Sequence, residues 1–557
     1  MTTPVVPPTA LDHSEGPAFA NRADRSRADL APLARAILAH ALAVGVSADL
    51  LIRDGPAGIG YPIWLALLAC SVVALAGRAD RTVPHEAGVW LATALAFGTG
   101  MAWRAAGDLH FLDFLATLFA LGMAAIALGS PRSALFAERL RDTVWSAARA
   151  LRSIAAGLAP LVLGEASLGE PTVRSTTRAR PVVRAVVIAL PLLVIFGSLL
   201  RGADPVFASL VAIPALDIGT LLSHLIVIGF FSWTAAGWMR AALVADIARP
   251  RAPGRLPFAL GSLDITVGLG VLIALFALYL VTQLGWFFGG EQFLRERTGL
   301  TVAEYARQGF LQMVWVVLLV VPTLMASRAL LLPDRDLERR HTVLAIPILL
   351  LVGLMIVSAM LRLQLYVRYY GLTIDRLYAL VFIAWLSLVL VWLGFTVLRG
   401  AGRTFVAGAV VSGLVTLAAL NVVVPDVVVA RLNIARSEAG VGAGAVPFDV
   451  AHIAGLGGDA IPLVVPAVLR PDRSPPGSAE RLASDIARCR ASHDLLARWS
   501  PFSERRARHD ANAIAWRRWN RGEARAVEVV GANVRALREV EHTTCRAWLA
   551  RRRAELR

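Results

Sequence analysis

TVLAIPILLLVGLMIVSAML, residues 342–361, runs for twenty positions without one charged side chain. Lipid offers a backbone no hydrogen-bond partner, so a chain crosses it as a helix of about 20 apolar residues. This stretch has that length and that composition. Working outward from it, ten more stretches of the same kind lie near 36–52, 61–77, 87–103, 111–129, 185–200, 217–239, 264–286, 311–327, 377–398 and 405–424. The pattern predicts an all-α protein, a polytopic transmembrane helix bundle of about 11 spans with a helical C-terminal tail. The whole composition agrees. The 557 residues are 57% hydrophobic and 17% charged, against about 25% charged in soluble domains. One soluble core of this length could not hide so much apolar surface.

Five regions follow. Residues 1–35 read as a polar, Pro-rich, disordered N-terminus, with no cleaved signal peptide. Residues 36–129 form a first four-helix membrane block. Residues 130–184 are a cytoplasmic connection, 185–424 the main membrane bundle, and 425–557 the tail. In the connection, Leu140, Val144, Leu151, Ile154 and Leu158 share one helical face, with Arg139, Arg149 and Arg152 on its flank. A basic amphipathic helix of this kind lies on an anionic leaflet or packs as a cytoplasmic helix. In the tail, Gly440, Gly442 and Gly444, then Pro475, Pro476 and Gly477, mark breaks. Beyond 478 it reads as helices. Leu482, Ile486, Leu496 and Trp499 mark one, and Val527, Val530, Val534, Leu537 and Val540 another.

The chain contains no lysine, so all 56 basic residues are arginine, against 40 acids and a net charge of +16. Alternate connections hold 25 arginines, the intervening short loops 9, and the segment after the last span 22. The arginine-rich set should face the cytoplasm. That puts the N-terminus inside, and eleven crossings put the tail outside; one miscounted helix would turn the tail inward. Charge that sets orientation gives no reason to expect nucleic acid. The missing amine excludes P-loop and Schiff-base chemistry. No Walker loop, nucleophile elbow or dinucleotide fingerprint is present. The ten histidines are scattered, so neither a metal site nor a cofactor is expected. Cys489 and Cys545 lie on separate tail helices. An extracytoplasmic tail permits a disulfide between them; two unpaired thiols is the other option, because sequence does not give their separation.

Ionisable residues inside spans are costly and mark pairing or functional sites. Asp49, Asp113 and Asp217 fall at the outer ends of spans, and Asp264 at an inner end. Asp204 follows the fifth span. His224 is two turns below Asp217, roughly 10 Å deeper. The loop GGEQFLRERTGLTVAEYARQGF, 289–310, adds Glu304, Tyr305 and Arg307. The loop RLQLYVRYYGLTIDR, 362–376, adds Arg362, Arg368, Tyr370 and Arg376. Guanidinium forks suit phosphate and carboxylate. These residues, Asp264 apart, therefore form the candidate ligand-binding set, an outward polar vestibule for an anionic or zwitterionic group. They serve equally well as anchors at the membrane interface. The expected function is a transporter of an anionic or amphiphilic substrate, or an envelope scaffold. The alternative is a transferase acting on a lipid-linked substrate at the outer face, against which the short outer loops count. Expected partners are the lipid bilayer, that ligand, and a protein bound through the tail.

TVAEYARQGFLQMV at 301–314 and SAMLRLQLYVRYYGLTIDRLYAL at 358–380 resemble the signature regions of a bacterial polytopic membrane family, domain of unknown function 4173, and its relative 4153. GADPVFASL at 202–210, VPDVVVARLNIAR at 424–436 and FDVAHIAGLGGDAIPLV at 448–464 resemble further blocks of it. The resemblance covers roughly 185–465. It implies a bacterial inner-membrane protein and no assigned activity. The positions it makes recurrent are Asp204, Glu304, Tyr305, Arg307, Gly309, Arg362, Tyr366, Tyr370, Gly371, Arg376, Arg431, Asn433 and Arg436.

Overall fold

The computed structural model describes residues 27–129 apart from 54 and 56, then 151–162, 218–244, 259–298, 310–332, 334–396, 402–438, 450–471, 475, 478–501 and 515–555, with single positions at 148, 166 and 189. All regular structure among the described residues is helical, and one isolated bridge joins Leu260 and Leu331. Nine of these helices are long and apolar enough to cross a membrane, so the protein is a multi-pass membrane protein.

The first block contains α1 (Arg27–Ile52), α2 (Gly60–Arg78), α3 (His85–Trp103) and α4 (Gly107–Gly129). All but α3 are among the nine. The stretch expected as a span at 87–103 is a helix, but its 19 residues begin with His85 and Glu86, which leaves it short of the apolar length of the nine. It nevertheless pairs along α4 and packs on α2. The span expected at 185–200 lies, apart from position 189, outside the described residues.

α5 (Ile218–Leu243) was grouped by sequence with the main bundle, yet it packs on α1 and α4. Gly45 on α1 meets Ser232 and Ile228 of α5 so closely that no Cβ would fit without a shift. Trp238 Nε1 donates to the Leu121 carbonyl at 2.9 Å, and Ile37, Trp64, Leu68 and Met239 share one core. The described part of the 130–184 connection, at 151–162, packs against α5 where Gly157 meets Gly237. Ile154 and Leu158 press on the core there, whereas Leu151 is exposed.

The second block holds α6 (Ser262–Thr298), α7 (Phe310–Ala329), α8 (Arg335–Tyr370) and α9 (Ile374–Thr396), around Leu269, Met313, Ile348, Val352 and Leu386. Two of these helices outrun their expected spans. α6 continues to Thr298, through the first half of what reads as a loop at 289–310. α8 is 36 residues long and carries Arg362, Arg368 and Tyr370 on helix rather than in a loop. Arg, Tyr, Leu and Gln all tolerate helix, so nothing stops α8 before Gly371, whose φ is +80°. α10 (Gly402–Val423) packs on α9 and also touches α4, which joins the two blocks.

The tail is helical earlier than the expected start near 478: α11 (Pro425–Glu438), α12 (Val450–Ala454) and α13 (Ile461–Leu469) precede α14 (Ala479–Trp499). The expected single helix through Val527–Val540 is two, α15 (Arg521–Ala532) and α16 (Val534–Glu555), separated at Asn533. These helices bury their own core of Val429, Ile453, Val464, Leu495, Val530 and Leu537. Cys489 on α14 and Cys545 on α16 are disulfide-bonded, with Cα atoms 5.2 Å apart.

The tail is fastened to one end of the bundle, called here the tail end. Arg517 Nη1 donates to the Leu50 carbonyl at 2.7 Å, and the Ile59 amide to the Trp519 carbonyl at 3.0 Å. Asn520 Nδ2 donates to the Met101 carbonyl at 3.0 Å. The C-terminal ends of α1, α3, α8 and α10 therefore lie at one level, with the N-terminal ends of α2, α4, α5 and α9.

Candidate functional site

The polar centre of the bundle lies where α3, α4 and α10 meet. α4 places Asp113 fully buried. Asn421 of α10 donates through Nδ2 to Asp113 Oδ1 at 2.7 Å. The second carboxyl oxygen, Oδ2, has no hydrogen-bond partner among the described residues and faces Gly100 of α3. A Cβ at Gly100 would stand 2.4 Å from it, so only glycine lets α3 come this close. Thr117, one turn on from Asp113, donates to the Asp113 carbonyl at 2.8 Å.

Above this centre, toward the tail, the α3–α4 connection carries Arg104 and Ala105. The Ala105 amide donates to Asp459 Oδ2 at 2.6 Å. The glycines of the GLGGDA stretch have a definite task here. At Gly457 a Cβ would meet the Ala105 carbonyl at 2.4 Å, and at Gly458 the Gly522 carbonyl at 2.9 Å. Their absence of side chain lets the tail backbone lie on the connection. The Gly457 amide also donates to Asp426 Oδ1 at 2.7 Å. Burial raises the Asp426 carboxyl above its usual range; the Gly457 bond opposes this, while Asp459 and Asp108 add to it. Arg104 is half-buried, and burial lowers its pKa. Asp459 opposes that shift, Arg521 adds to it, and Asp113 opposes it.

The expected site residues fall into separate groups. Asp49 is buried at the end of α1 and accepts from Arg53 at 2.8 Å. His224 Nδ1 lies 2.5 Å from its other oxygen, and Arg53 also donates to Ser223. This group ties α1 to α5. Asp113 pairs instead with Asn421. Arg362 is buried within α8, while Arg368 and Tyr370 are exposed. Arg376 stacks 4.0 Å from the Tyr366 ring centroid and donates to the Gly371 carbonyl. That turn is held from α11. Asn433 accepts from the Leu372 amide at 3.1 Å and donates to the Leu372 carbonyl at 2.6 Å, and Arg436 donates to the Tyr369 carbonyl at 2.8 Å. Asp204, Asp217, Glu304, Tyr305 and Arg307 lie outside the described residues. Asp264 accepts from the Gly261 amide at 2.9 Å, near the start of α6. No cluster of three metal-ligating side chains occurs among the described residues.

Sequence reading missed Arg104, Asn421, Asp426, Asp459 and Asn520 as parts of one junction. Asn421 had a signal, being a lone amide in the apolar run LAALNVVV. The others sit in connections, where a polar residue stands out from nothing.

The model of the family described as domain of unknown function 4153 matches residues 91–467, more than half of the chain. The chain belongs to this family. The match is to 4153 and not to the related 4173, and it begins in α3, well before the blocks that carried the resemblance. No curated protein and no solved structure matches. The family match takes in the α3–α4 connection, Asp113, Asn421, Asp426 and the GLGGDA stretch, and ends before α14.

Proposed function

We propose that this family member is a bacterial inner-membrane protein with a cytoplasmic N-terminus and an extracytoplasmic tail. On this reading it is an envelope scaffold that holds an anionic amphiphile at its extracytoplasmic face. The observation that carries it is the junction just described. The tail contacts the α1–α2, α3–α4 and α8–α9 connections together, so the membrane helices support a fixed folded platform at that face. The arginine distribution and the Cys489–Cys545 disulfide both favour an oxidising compartment for the platform. Protein partners would meet the tail, and lipid the bundle.

Transport is the second reading, favoured by Asp113, a buried carboxyl with one oxygen unpartnered among the described residues. The transferase alternative finds less support, because the tail-end connections among the described residues are short and occupied by tail contacts.

Sidedness is tested in intact cells. After a membrane-impermeant reductant, an impermeant maleimide should label Cys489 and Cys545 without lysis. Labelling only after permeabilisation would place the tail inside and end this reading. Reconstituted protein should leave fluorescent phosphatidylglycerol no more accessible to dithionite than protein-free vesicles do. Faster quenching would favour transport over the scaffold.

A further inference from the structure

Among the described residues, three apolar grooves of similar size open on the bundle surface. One lies between α3 and α10, about 740 Å³, lined by Trp90, Phe97, Val415 and Ala418 among others. The second lies between α8 and α9, about 780 Å³, with no charged residue in its lining. The third lies between α4, α9 and the opposite face of α10, about 700 Å³, with Asp108 at its tail-end mouth. Only the first has a cation at that mouth, Arg104. Its lining reaches from Glu86 to Arg104, nearly the length of α3, roughly 27 Å at 1.5 Å per residue.

We infer that the α3–α10 groove is a lipid site, taking an acyl chain of an anionic phospholipid along its length and the phosphate at Arg104. Three observations support this. Arg104 forms no ion pair within 4 Å among the described residues. The two carboxylates that act on it do so from beyond ion-pair distance, Asp459 holding the Ala105 amide and Asp113 holding Asn421 through one oxygen. A second cation is close: Arg521 lies 4.3 Å over the ring of Trp103, the neighbour of Arg104 in sequence. A half-buried guanidinium whose donors make no hydrogen bond among the described residues, beside another cation, favours an anion, and its planar fork matches phosphate. The middle of the groove is apolar. It suits a chain that stays, not a headgroup that passes through, so it is a binding site and not a path. Asn421 forms a polar spot in the same wall. This site rests on the scaffold reading and names the class of its ligand.

The test uses full-length protein in nanodiscs containing a photoactivatable phosphatidylglycerol, with the matching phosphatidylcholine as comparison. Crosslinks should concentrate on α3 and on the Val411, Val415 and Ala418 face of α10, not its Gly413, Thr416 and Leu417 face, and favour phosphatidylglycerol. Arg104→Ala should reduce that preference about tenfold, since a charge-assisted hydrogen bond is worth that much. Ala418→Trp should fill the groove and remove labelling by both lipids, while Asp108→Asn should change nothing. Thermal unfolding of each variant confirms that the fold is kept. An Arg104→Ala protein that retains the preference, or labelling spread evenly over the three grooves, would overturn the site. The crosslink pattern reads the groove alone and the maleimide experiment reads sidedness alone, so either can fail without the other.

Discussion

α10 and α14 are about equally long, and they handle apolar residues in opposite ways. On α10, Val411, Val415, Val422 and Val423 point outward, and little of the helix is buried within the chain. One of its polar residues, Asn421, turns inward to Asp113. On α14, Ala491, Leu495 and Trp499 turn inward, and Arg490, Asp494 and Arg498 outward. α14 is also capped: Ser478 accepts from the Arg481 amide at 3.1 Å. Such a cap satisfies an amide that the helix itself leaves unpaired, as Asp334 does at the start of α8. The difference lies in the solvent. Hydrocarbon tolerates an exposed valine at no cost, so the bundle is held by packing and a few buried polar pairs. Water does not, so the tail needs a core and a disulfide.

Four changes would break or sharpen that contrast, in falling order of effect. Leu537→Ala empties a fully buried position in the tail core and should cost about 2–5 kcal/mol. Val415→Ala, on the bundle surface, should leave unfolding nearly unchanged. Thermal unfolding in nanodiscs followed by tail protease resistance compares them; equal losses would abolish the distinction.

Reducing Cys489–Cys545, which closes a separation of 56 residues, should cost the tail about 2–5 kcal/mol through the freer unfolded chain. The membrane helices should keep their helical circular dichroism. If they melt together with the tail, the two regions are one cooperative unit.

The third change concerns the junction and pH. Burial raises the Asp426 pKa, so the folded state prefers the protonated form. The stability this adds is full below the ordinary carboxylate range and is lost as pH rises through the raised value. The unfolding temperature of the tail should therefore fall as pH rises across that interval. Asp426→Asn keeps an acceptor for the Gly457 amide and should flatten the slope. An unchanged slope would mean that another group sets it.

The smallest effect should come from Arg470→Ala. Its ion pair with Glu438 joins two half-exposed side chains, worth less than about 1 kcal/mol. Urea unfolding should barely shift.

The sequence alone determined the solvent of each region, and with it the fold class. Twenty uncharged residues at 342–361 admit only a helix in lipid, and the stretch beyond 478 admits only helices with one apolar face. It also singled out Asp49, Asp113 and His224 as ionisable groups at span level, because charge in such a run is conspicuous by composition. Tertiary structure decided what those groups meet. Nothing in the sequence near Asp113 names Asn421, 308 residues away, or pairs Asp49 with His224 across 175 residues. It also decided that α5 belongs with α1 and α4, and that Gly457 and Gly458 lie against Ala105. Hydropathy is a sum over neighbours along the chain. A hydrogen bond or a glycine-permitted approach depends on the distance between elements, which only packing fixes.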